Sequence, residues 1–366
     1  YYVSKLAKKK QVSGYTVGFK NENEEDVEAA KLVANRLGIH QDISYITPLN
    51  FLQNLVEIIW YLDEPLADPN IVATWELAGL AAKDVGTVFS GMGSDELLAG
   101  HNRYTDEEQH LSFLSRLMLL PKPLICKIVV PIVSMINKPL CYRCMKYCRS
   151  DPWQFDYLEK NALFNQGLLK KASPMLAHLF DPEVFLHKFH NLSRIKSKVS
   201  SFLYFDVKTR LVDKFVLQYG RLTEAHNLRW NTPFLDQHLI EFLASLPEPE
   251  HLAESETALF LKMLMKDILP PVVIERPKKS RPDFISSWVN SPEMTEICHL
   301  LEKGTLVESG YLSLKWLRQA TAGPEERKHS FRYLWAMIVL EIWFKLMVNH
   351  PISRTPPNKS VIELLS

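Results

Sequence analysis

The residues best suited to chemistry lie in one glycine-rich segment. The chain has only 13 glycines among 366 residues, yet four fall within fifteen positions: Gly86, Gly91, Gly93 and Gly100. The pattern predicts a buried strand over residues 85–89, a tight loop, and a helix that begins near Asp95 and Glu96. Glycines let backbone N–H groups approach a phosphate, and a carboxylate after a parallel strand can hold Mg²⁺ there. The alternative is a turn glycine followed by acids that favour a helix N-terminus.

A cysteine run is the second cluster that could bind a ligand. Cys141, Cys144 and Cys148 have a spacing that puts three thiols on one face of a helix, which suits a metal or an iron–sulfur cluster. Only three ligands are local, and free cysteine is among the residue types most often buried. We therefore favour three small apolar residues on the inner face of a helix.

Composition and charge exclude several classes of protein. The chain is 46% hydrophobic and 23% charged, an ordinary globular mixture that rules out disorder, collagen and a disulfide scaffold. A net charge of +1 provides no field for a nucleic-acid backbone. The longest apolar stretch in the middle, residues 128–137, is about half of the length that crosses a bilayer. We expect no nucleic acid and no membrane as partners, and five cysteines without a signal-peptide pattern favour the cytoplasm.

The elements that must position the glycine-rich segment alternate in type along the first third of the chain. Residue patterns predict strands over 12–19, 41–46 and 85–89, and helices over 24–37, 49–62 and 71–83. Strands separated by such helices predict a parallel sheet covered on both faces. After residue 105 we expect no further strand, and helices over 200–231, 259–268 and 331–348, the last buried on most sides.

Motifs spread over nearly the whole chain resemble those of one family. Residues 90–97, S-G-M-G-S-D-E-L, with Gly100 and Tyr104, resemble the S-G-x-G-x-D-E-L-F-G-G-Y segment of the asparagine synthetase family, the N-type ATP pyrophosphatases. Further matches follow in the family's order: residues 15–19 with its second strand, 63–69 with its D-E-P-x-x-D-P loop, 232–236 with its R-x-P-F-L-D turn, 269–278 with its L-P…R-P-K segment, and 334–343 with its final helix.

The resemblance implies a fold and a domain organisation. The fold class is α/β, with a parallel doubly wound sheet of five strands like that of the adenine nucleotide alpha hydrolases and a large C-terminal helical extension. Residues 1–105 would be the nucleotide-binding α/β part without its first strand and S-G-G-x-D-S phosphate loop, which we expect upstream of Tyr1. Residues 106–200 would be a helical insertion, 201–350 would complete the synthetase domain, and 351–366 would be a loose tail.

The resemblance also implies an ATP-dependent amide synthesis in two steps. A carboxylate attacks the α-phosphate of ATP to give an acyl-adenylate and pyrophosphate, and ammonia then displaces AMP. By this resemblance Asp95 would hold Mg²⁺ and pyrophosphate, with Glu96 behind it, and Lys278 would neutralise the phosphates or the intermediate. The partners would be a small carboxylic acid, with aspartate favoured, and ammonia from an N-terminal glutaminase domain outside this chain. A homodimer is compatible with the family.

Four positions are assigned to the nucleotide by the same resemblance. Val17 would line the adenine pocket through its backbone, next to Gly18, and Ser90 and Gly91 would contact the nucleotide. Glycine suits such positions because backbone can come close to a ligand there. These residues, with Asp95, Glu96 and Lys278, form the predicted site.

Other positions depart from the family's pattern. Met92 stands where an acidic or polar residue is usual, and further departures lie downstream: Gly220 for Asp, Glu224 for Met, Arg229 for Glu, Asn231 for Arg, and Ser280 and Arg281 for Gly-Phe. The acceptor side of the site therefore looks altered. Three functions stay open: a glutamine-dependent asparagine synthase, which we favour; a related amidotransferase or lactam-forming synthetase that acts on another carboxylate; and a non-catalytic scaffold.

Overall fold

The computed structural model describes ten segments of the chain, and every structural statement below concerns them alone. They are residues 1–7, 12–19, 24–101, 104, 121–136, 162–179, 198–246, 258–276, 288–349 and 353–366. The cysteine run and Lys278 lie outside the described residues. No described helix combines the length and the apolar character that crossing a bilayer requires.

The first hundred residues alternate strands and helices as the sequence predicts. The elements are α1 (Tyr2–Leu6), β1 (Ser13–Phe19), α2 (Glu24–Leu37), β2 (His40–Ile46), α3 (Pro48–Gln53), α4 (Leu55–Leu62), α5 (Asn70–Ala81), β3 (Thr87–Phe89) and α6 (Ser94–Leu97). Helix α2 begins with three acids, which a helix N-terminus favours, and ends before Gly38. Gly38 has φ +65°, a left-handed conformation that glycine adopts without strain.

The strands form two parallel pairs. β1 pairs with β2, and β3 pairs with a three-residue strand, β4 (Arg229–Asn231), with Val88 opposite Trp230. The described residues thus show parallel sheets in a mostly helical α/β protein, whereas the five-stranded doubly wound sheet stays a prediction. The expectation of no strand after residue 105 is wrong. Three residues are too few for period-two alternation to mark β4.

The expectation of a fully buried strand at residues 85–89 is also wrong. Only residues 87–89 are extended, Val88 is half-buried, and Phe89 is 56% exposed. The covered face of β3 rests on α5, where Val88 packs against a small cluster of Ala78, Ala81 and Leu228. Tyr15 of β1 packs against the same cluster, so α5 joins the two strand pairs. Alanine suits this position because its small side chain lets a strand approach a helix closely.

The part of the chain after Tyr104 that the structure describes is helical apart from β4. Its helices are α7 (Lys122–Leu124), α8 (Val130–Ile136), α9 (Gln166–Ala172), α10 (Lys198–Asp206), α11 (Leu217–Ala225), α12 (Gln237–Ser245), α13 (Leu259–Met265), α14 (Pro271–Ile274), α15 (Pro292–Leu301), α16 (Thr305–Glu308), α17 (Leu314–Ala320), α18 (Pro324–Trp343) and α19 (Val361–Leu365). Three π-helical segments continue or join them, Ile125–Val129, Val207–Val216 and Phe344–Val348, and two short 3₁₀ turns are Leu176–His178 and Pro233–Leu235.

The main core lies between α4 and α18. Helix α18 buries Trp335 and Ile338 completely, and neighbours on several of its faces are buried too, so the prediction of a helix covered on most sides is confirmed. Helices α15, α17 and α19 complete this core. The predicted loose tail is therefore wrong at residues 361–365. Ser360 and Glu363 form a capping box and Val361 is buried. The capping-box residues can be read in the sequence, but the prolines before them led us to expect a loose tail instead.

A buried carboxylate joins α18 to α16. Glu341 is 1% exposed and accepts hydrogen bonds from the N–H groups of Thr305 (2.6 Å) and Leu306 (2.9 Å). These N–H groups open α16 and have no partner within the helix. The carboxylate can come this close because residue 304 is glycine. A Cβ atom on Gly304 would lie 2.8 Å from the Glu341 carboxyl carbon.

We expect Gly304→Ala to lower the free energy of unfolding by about 1–3 kcal/mol, because the Glu341 carboxylate must move away from two N–H groups that it now satisfies. Urea unfolding followed by circular dichroism measures the change. Gly86→Ala is the matched control, since Gly86 is exposed and a Cβ atom there has nothing within 4 Å. Equal stability of the two variants would contradict this role for Gly304.

A second buried carboxylate lies in the loop at residues 63–69. Asp68 is 7% exposed, contacts the Lys214 ammonium at 2.9 Å, and accepts hydrogen bonds from the backbone and side-chain nitrogens of Asn70. Burial alone would raise the pKa of Asp68, but Lys214 and Asn70 outweigh it and hold the pKa below the usual range. The loop is thereby attached both to α5 and to the π-helical segment at Lys214.

Because the pKa of Asp68 is lowered in the folded state, its contribution to stability is complete above the unfolded pKa and is lost as the pH falls through the folded pKa. We expect Asp68→Asn to reduce the free energy of unfolding by about 1–3 kcal/mol at pH 7, and the difference from wild type to shrink below about pH 4. Asp213→Asn, at an exposed position next to Lys214, is the control. A difference that does not change with pH would contradict the ion pair.

Candidate nucleotide-binding site

The glycine-rich loop at residues 90–93 is held by the end of β4. The Ser90 N–H donates to the Asn231 carbonyl (2.9 Å), which continues the pairing of β3 with β4. The Thr232 hydroxyl donates to the Met92 carbonyl (2.6 Å). Because parallel strands end at the same edge of a sheet, the loop after β3 and the turn after β4 meet there. This edge is where open α/β sheets bind their ligands.

The two central glycines of the loop have different surroundings. Gly93 has φ +91°, and a Cβ atom there would lie 2.5 Å from Leu235 Cδ2. The fold itself therefore requires glycine at position 93. Gly91 is exposed, its φ lies outside the left-handed region, and a Cβ atom there would meet nothing within 4 Å. No described neighbour requires glycine at position 91. The absence of a side chain there leaves open space beside the backbone.

One backbone donor of the loop lies at the exposed glycine. Within the described part of the chain, the N–H groups of Gly91 and Gly93 donate to no protein acceptor. The Met92 N–H between them lies 3.4 Å from Ser90 Oγ, and Gly93 is buried whereas Gly91 is exposed. Backbone N–H groups in tight loops suit an anion, so the Gly91 N–H is the loop donor that could bind a phosphate oxygen.

The two predicted acids differ in burial. The Asp95 side chain is 32% exposed and packs on Gly100, where a Cβ atom would lie 2.0 Å from Asp95 Oδ1. Glu96 is 2% exposed, and its Oε1 lies 3.0 Å from His101 Nε2. His101 Nδ1 also lies 3.9 Å from Asp95 Oδ2. Both acids therefore contact His101, and Asp95 is the more exposed of the two.

The described side chains do not form a metal centre by themselves. No group of three or more His, Cys, Asp or Glu side chains in the described segments is arranged to hold a metal ion. Mg²⁺ needs fewer protein ligands, because it commonly takes one or two carboxylates and completes its shell with water and substrate phosphates. Asp95, partly exposed and four residues after Gly91, could serve as such a carboxylate.

A tyrosine anchors the chain beyond the loop. Tyr104 is 1% exposed, and its hydroxyl donates to the carboxylate of Asp206, which is fully buried at the end of α10. The predicted motif includes Tyr104 but gives no indication of its partner, and neither Asp206 nor His101 was predicted. His101 follows Gly100 directly, so its place in the loop region was the only available signal. Both contacts fix the helix that carries Asp95.

The other predicted residues have different positions. Gly18 lies in β1, and a Cβ atom there would lie 2.9 Å from both Tyr45 and Val27, so packing alone requires glycine. Val17 is partly buried and packs against the main core. Val17 and Ser90 have equivalent places in their strand pairs. Each lies two residues after a side chain that packs on α5, namely Tyr15 for Val17 and Val88 for Ser90.

Arg276, two residues before Lys278, is the last residue of its segment that the structure describes. Arg276 forms an ion pair with Asp26 and lies 3.8 Å from Glu25, both at the start of α2. The chain is therefore attached to α2 two residues before Lys278. The position of the Lys278 side chain lies outside the described residues.

Three of the departures from the family's pattern line one cavity. Gly220, Glu224 and Arg229 border a space of about 380 Å³ at the end of α11, with Trp230 on another side. A Cβ atom on Gly220 would meet nothing within 4 Å, so the absent side chain leaves room there. Among the described residues neither Glu224 nor Arg229 forms an ion pair. As far as the described residues show, the cavity is bordered by an acid and a base that are not paired with other side chains.

Comparison with known proteins agrees with the motifs. The asparagine synthase family model matches residues 2–345. The chain is 28% identical over 346 residues to a putative asparagine synthetase (glutamine-hydrolyzing) of Mycobacterium tuberculosis, covering 92% of this chain and 51% of that protein. It is 26% identical over 342 residues to asparagine synthetase (glutamine-hydrolyzing) 1 of Bacillus subtilis, covering 91% and 52%. The chain thus spans about half the length of these curated relatives.

The two loop glycines should respond differently to substitution. We expect Gly93→Ala to lower the free energy of unfolding by about 1–3 kcal/mol, because alanine is strained at positive φ and would collide with Leu235. Gly91→Ala should change it by less than about 0.5 kcal/mol, since no protein atom opposes the added methyl group. Urea unfolding of both variants measures this. Equal losses would show that the fold requires both glycines.

Proposed function

The chain belongs to the asparagine synthase family, and on that premise we propose that it binds ATP with Mg²⁺ at residues 90–96 and activates a small carboxylic acid for amide formation. The observation that carries the proposal is the environment of Gly91. No described neighbour prevents a larger residue at this position, and the position lies beside open space. Its N–H group has no protein acceptor among the described residues. A bound phosphate accounts for all three properties.

The residues of the loop would divide the work on ATP. The N–H group of Gly91 would bind a phosphate oxygen, and Asp95 would hold Mg²⁺ for the pyrophosphate portion. The metal ion would supply charge neutralisation as pyrophosphate departs. Glu96 and His101 keep the Asp95 helix in place through their 3.0 Å contact. Lys278 is proposed to add a second positive charge to the phosphates.

The reaction that we propose has two balanced steps. A carboxylate oxygen of the acid attacks the α-phosphorus of ATP, the bond to the bridging oxygen breaks, and pyrophosphate leaves with its electron pair. Ammonia then attacks the acyl carbon, AMP leaves, and a proton is released as the amide forms. Water must be kept from the acyl-adenylate between the steps. The names of the relatives indicate glutamine as their ammonia source, and we propose the same source for the protein that carries this chain.

Aspartate is the acid that we favour, and a specific observation supports a second candidate. Gly220, Glu224 and Arg229, which replace other residues of the family's pattern, line a single cavity. Trp230 forms one wall of this cavity and donates a hydrogen bond to Ser90, so the cavity adjoins the nucleotide loop. Replacing a negative charge by Arg229 changes which acid the cavity attracts. An acid other than aspartate is therefore the alternative acceptor.

The test is pyrophosphate release by the intact protein that carries this chain, with ATP, Mg²⁺, ammonia and a panel of acids. Release with aspartate supports the favoured function. Release only with another acid supports the second candidate. ATP binding without release for any acid would overturn the enzymatic proposal and indicate a scaffold.

We expect Asp95→Asn to weaken Mg²⁺-dependent ATP binding by at least about tenfold, because the amide replaces the anionic ligand that the metal requires. Binding of ATP without Mg²⁺ should change much less. Isothermal titration calorimetry with and without Mg²⁺ measures the two affinities, and Asp213→Asn at an exposed position is the matched control. A loss of the same size in the absence of Mg²⁺ would contradict the metal-binding role.

A further inference from the structure

The hydroxyl of Ser90 already receives two hydrogen bonds. The indole N–H of Trp230 donates to Ser90 Oγ at 2.8 Å, and the backbone N–H of Met92 lies 3.4 Å from the same oxygen. An indole N–H and a backbone N–H can only donate, so the direction of both bonds is certain. A serine hydroxyl has two acceptor lone pairs and one hydrogen. Both lone pairs are therefore directed toward protein donors.

The hydrogen of the Ser90 hydroxyl has no acceptor among the described residues. With its lone pairs directed toward Trp230 and Met92, the hydroxyl cannot accept a further hydrogen bond without losing one of these. It can only donate. The neighbouring residue in the loop is Gly91, which borders open space. The Ser90 hydroxyl thus has its hydrogen available to donate to a ligand bound at the loop.

The indole ring of Trp230 is held in place by a second aromatic ring. The ring of Tyr219 on α11 stacks on that of Trp230, with ring centres 5.6 Å apart and an angle of 28° between the planes. Trp230 is also the central residue of β4 and lies opposite Val88 in the ladder. A ring fixed by stacking and by its strand presents its N–H in one direction. The family's pattern leaves position 230 unspecified, so nothing in the motif assigns a role to Trp230.

We infer that Trp230 is a positioning residue that fixes the Ser90 hydroxyl as a hydrogen-bond donor to an acceptor atom of the bound nucleotide. The inference rests on the proposed function, because the nucleotide is the ligand proposed for this loop. It adds a specificity rule. The ligand group that contacts Ser90 must be an acceptor, such as an oxygen of the nucleotide. A donor could bond to the hydroxyl only by displacing the Trp230 or Met92 N–H group from its lone pairs.

A double-mutant cycle on ATP binding tests the inference. Ser90→Ala removes the donor and should weaken ATP binding by about tenfold. Trp230→Phe keeps an aromatic ring for Tyr219 but removes the N–H, so the hydroxyl is free to rotate and affinity should fall by about threefold to tenfold. In the double variant, Trp230→Phe should add almost nothing to Ser90→Ala. Two residues that act through one another do not give additive effects.

A matched control separates this role from a general effect of losing an indole N–H. Trp343 donates its indole N–H to the Asp63 carbonyl at 3.1 Å, in the main core region. Trp343→Phe removes the same kind of hydrogen bond and should leave ATP affinity unchanged. Thermal unfolding of each variant reports any loss of fold, and the ¹⁵N–¹H signal of the Trp230 indole should shift in Ser90→Ala.

Each result decides the matter. A Trp230→Phe effect that disappears in the Ser90→Ala background supports the inference. Equal effects of Trp230→Phe in both backgrounds would show that Trp230 acts only through packing and would overturn it. Wild-type protein that binds no ATP would overturn the proposed function together with the inference, whereas ATP binding with additive effects overturns the inference alone.

Discussion

The glycine-rich loop at residues 90–93 depends on the parallel pairing of β3 with β4. Three of the contacts that shape residues 90–93 come from the segment at 230–235: the Trp230 indole on Ser90, the Thr232 hydroxyl on the Met92 carbonyl, and the Leu235 side chain against Gly93. The two hydrogen bonds join residues 140 positions apart in sequence. Contacts of such long range must offset a loop-closure entropy that local contacts avoid. The observed shape of residues 90–93 therefore depends on β4 lying beside β3.

One continuous helical stretch, residues 198–225, fastens the loop region to the rest of the molecule. Its polar side chains follow one another at intervals of four or eight residues, and each reaches a different element: Asp206 contacts Tyr104 beyond the loop, Lys214 contacts Asp68, and Gln218 contacts Thr74 of α5. The middle of this stretch is π-helical from Val207 to Val216. A π-helical turn is wider than an α-helical one and often occurs near functional sites. Buried polar groups with partners define one arrangement of the packed elements, since any shift leaves them unsatisfied.

The sequence predicted the elements with strong periodicity and missed those defined by distant contacts. Helix α2 and strands β1 and β2 were predicted almost residue for residue, because each has a clear pattern and a glycine or an acidic turn at its end. Strand β4 has three residues and exists only through β3, so no local pattern could reveal it. The same holds for the chemical partners of predicted residues. Asp95 and Glu96 were predicted as a pair, yet only the structure separates the partly exposed acid from the buried one and shows that both contact His101.

Glycine shows the limit of such predictions most clearly. Gly93 and Gly18 are required by neighbouring side chains in the fold, whereas Gly91 has no such neighbour. In the sequence the three look alike. Only their surroundings separate the two glycines that packing requires from the one that it does not. The predicted role of Gly18 at the nucleotide thus has a sufficient explanation in packing, while that of Gly91 does not.

The departure at Met92 affects chemistry and architecture differently. The loop uses the backbone of Met92, whose carbonyl accepts the Thr232 hydroxyl and whose N–H faces Ser90 Oγ. Any residue supplies these two groups, so replacing an acid by methionine leaves the loop's geometry intact and removes only a negative charge. The altered positions Gly220, Glu224 and Arg229 lie together on the other side of Trp230. The three altered residues thus lie around one cavity, while the contacts that hold residues 90–93 do not involve them. On the proposed function, the departures from the family's pattern therefore favour a change of acceptor over a loss of ATP binding.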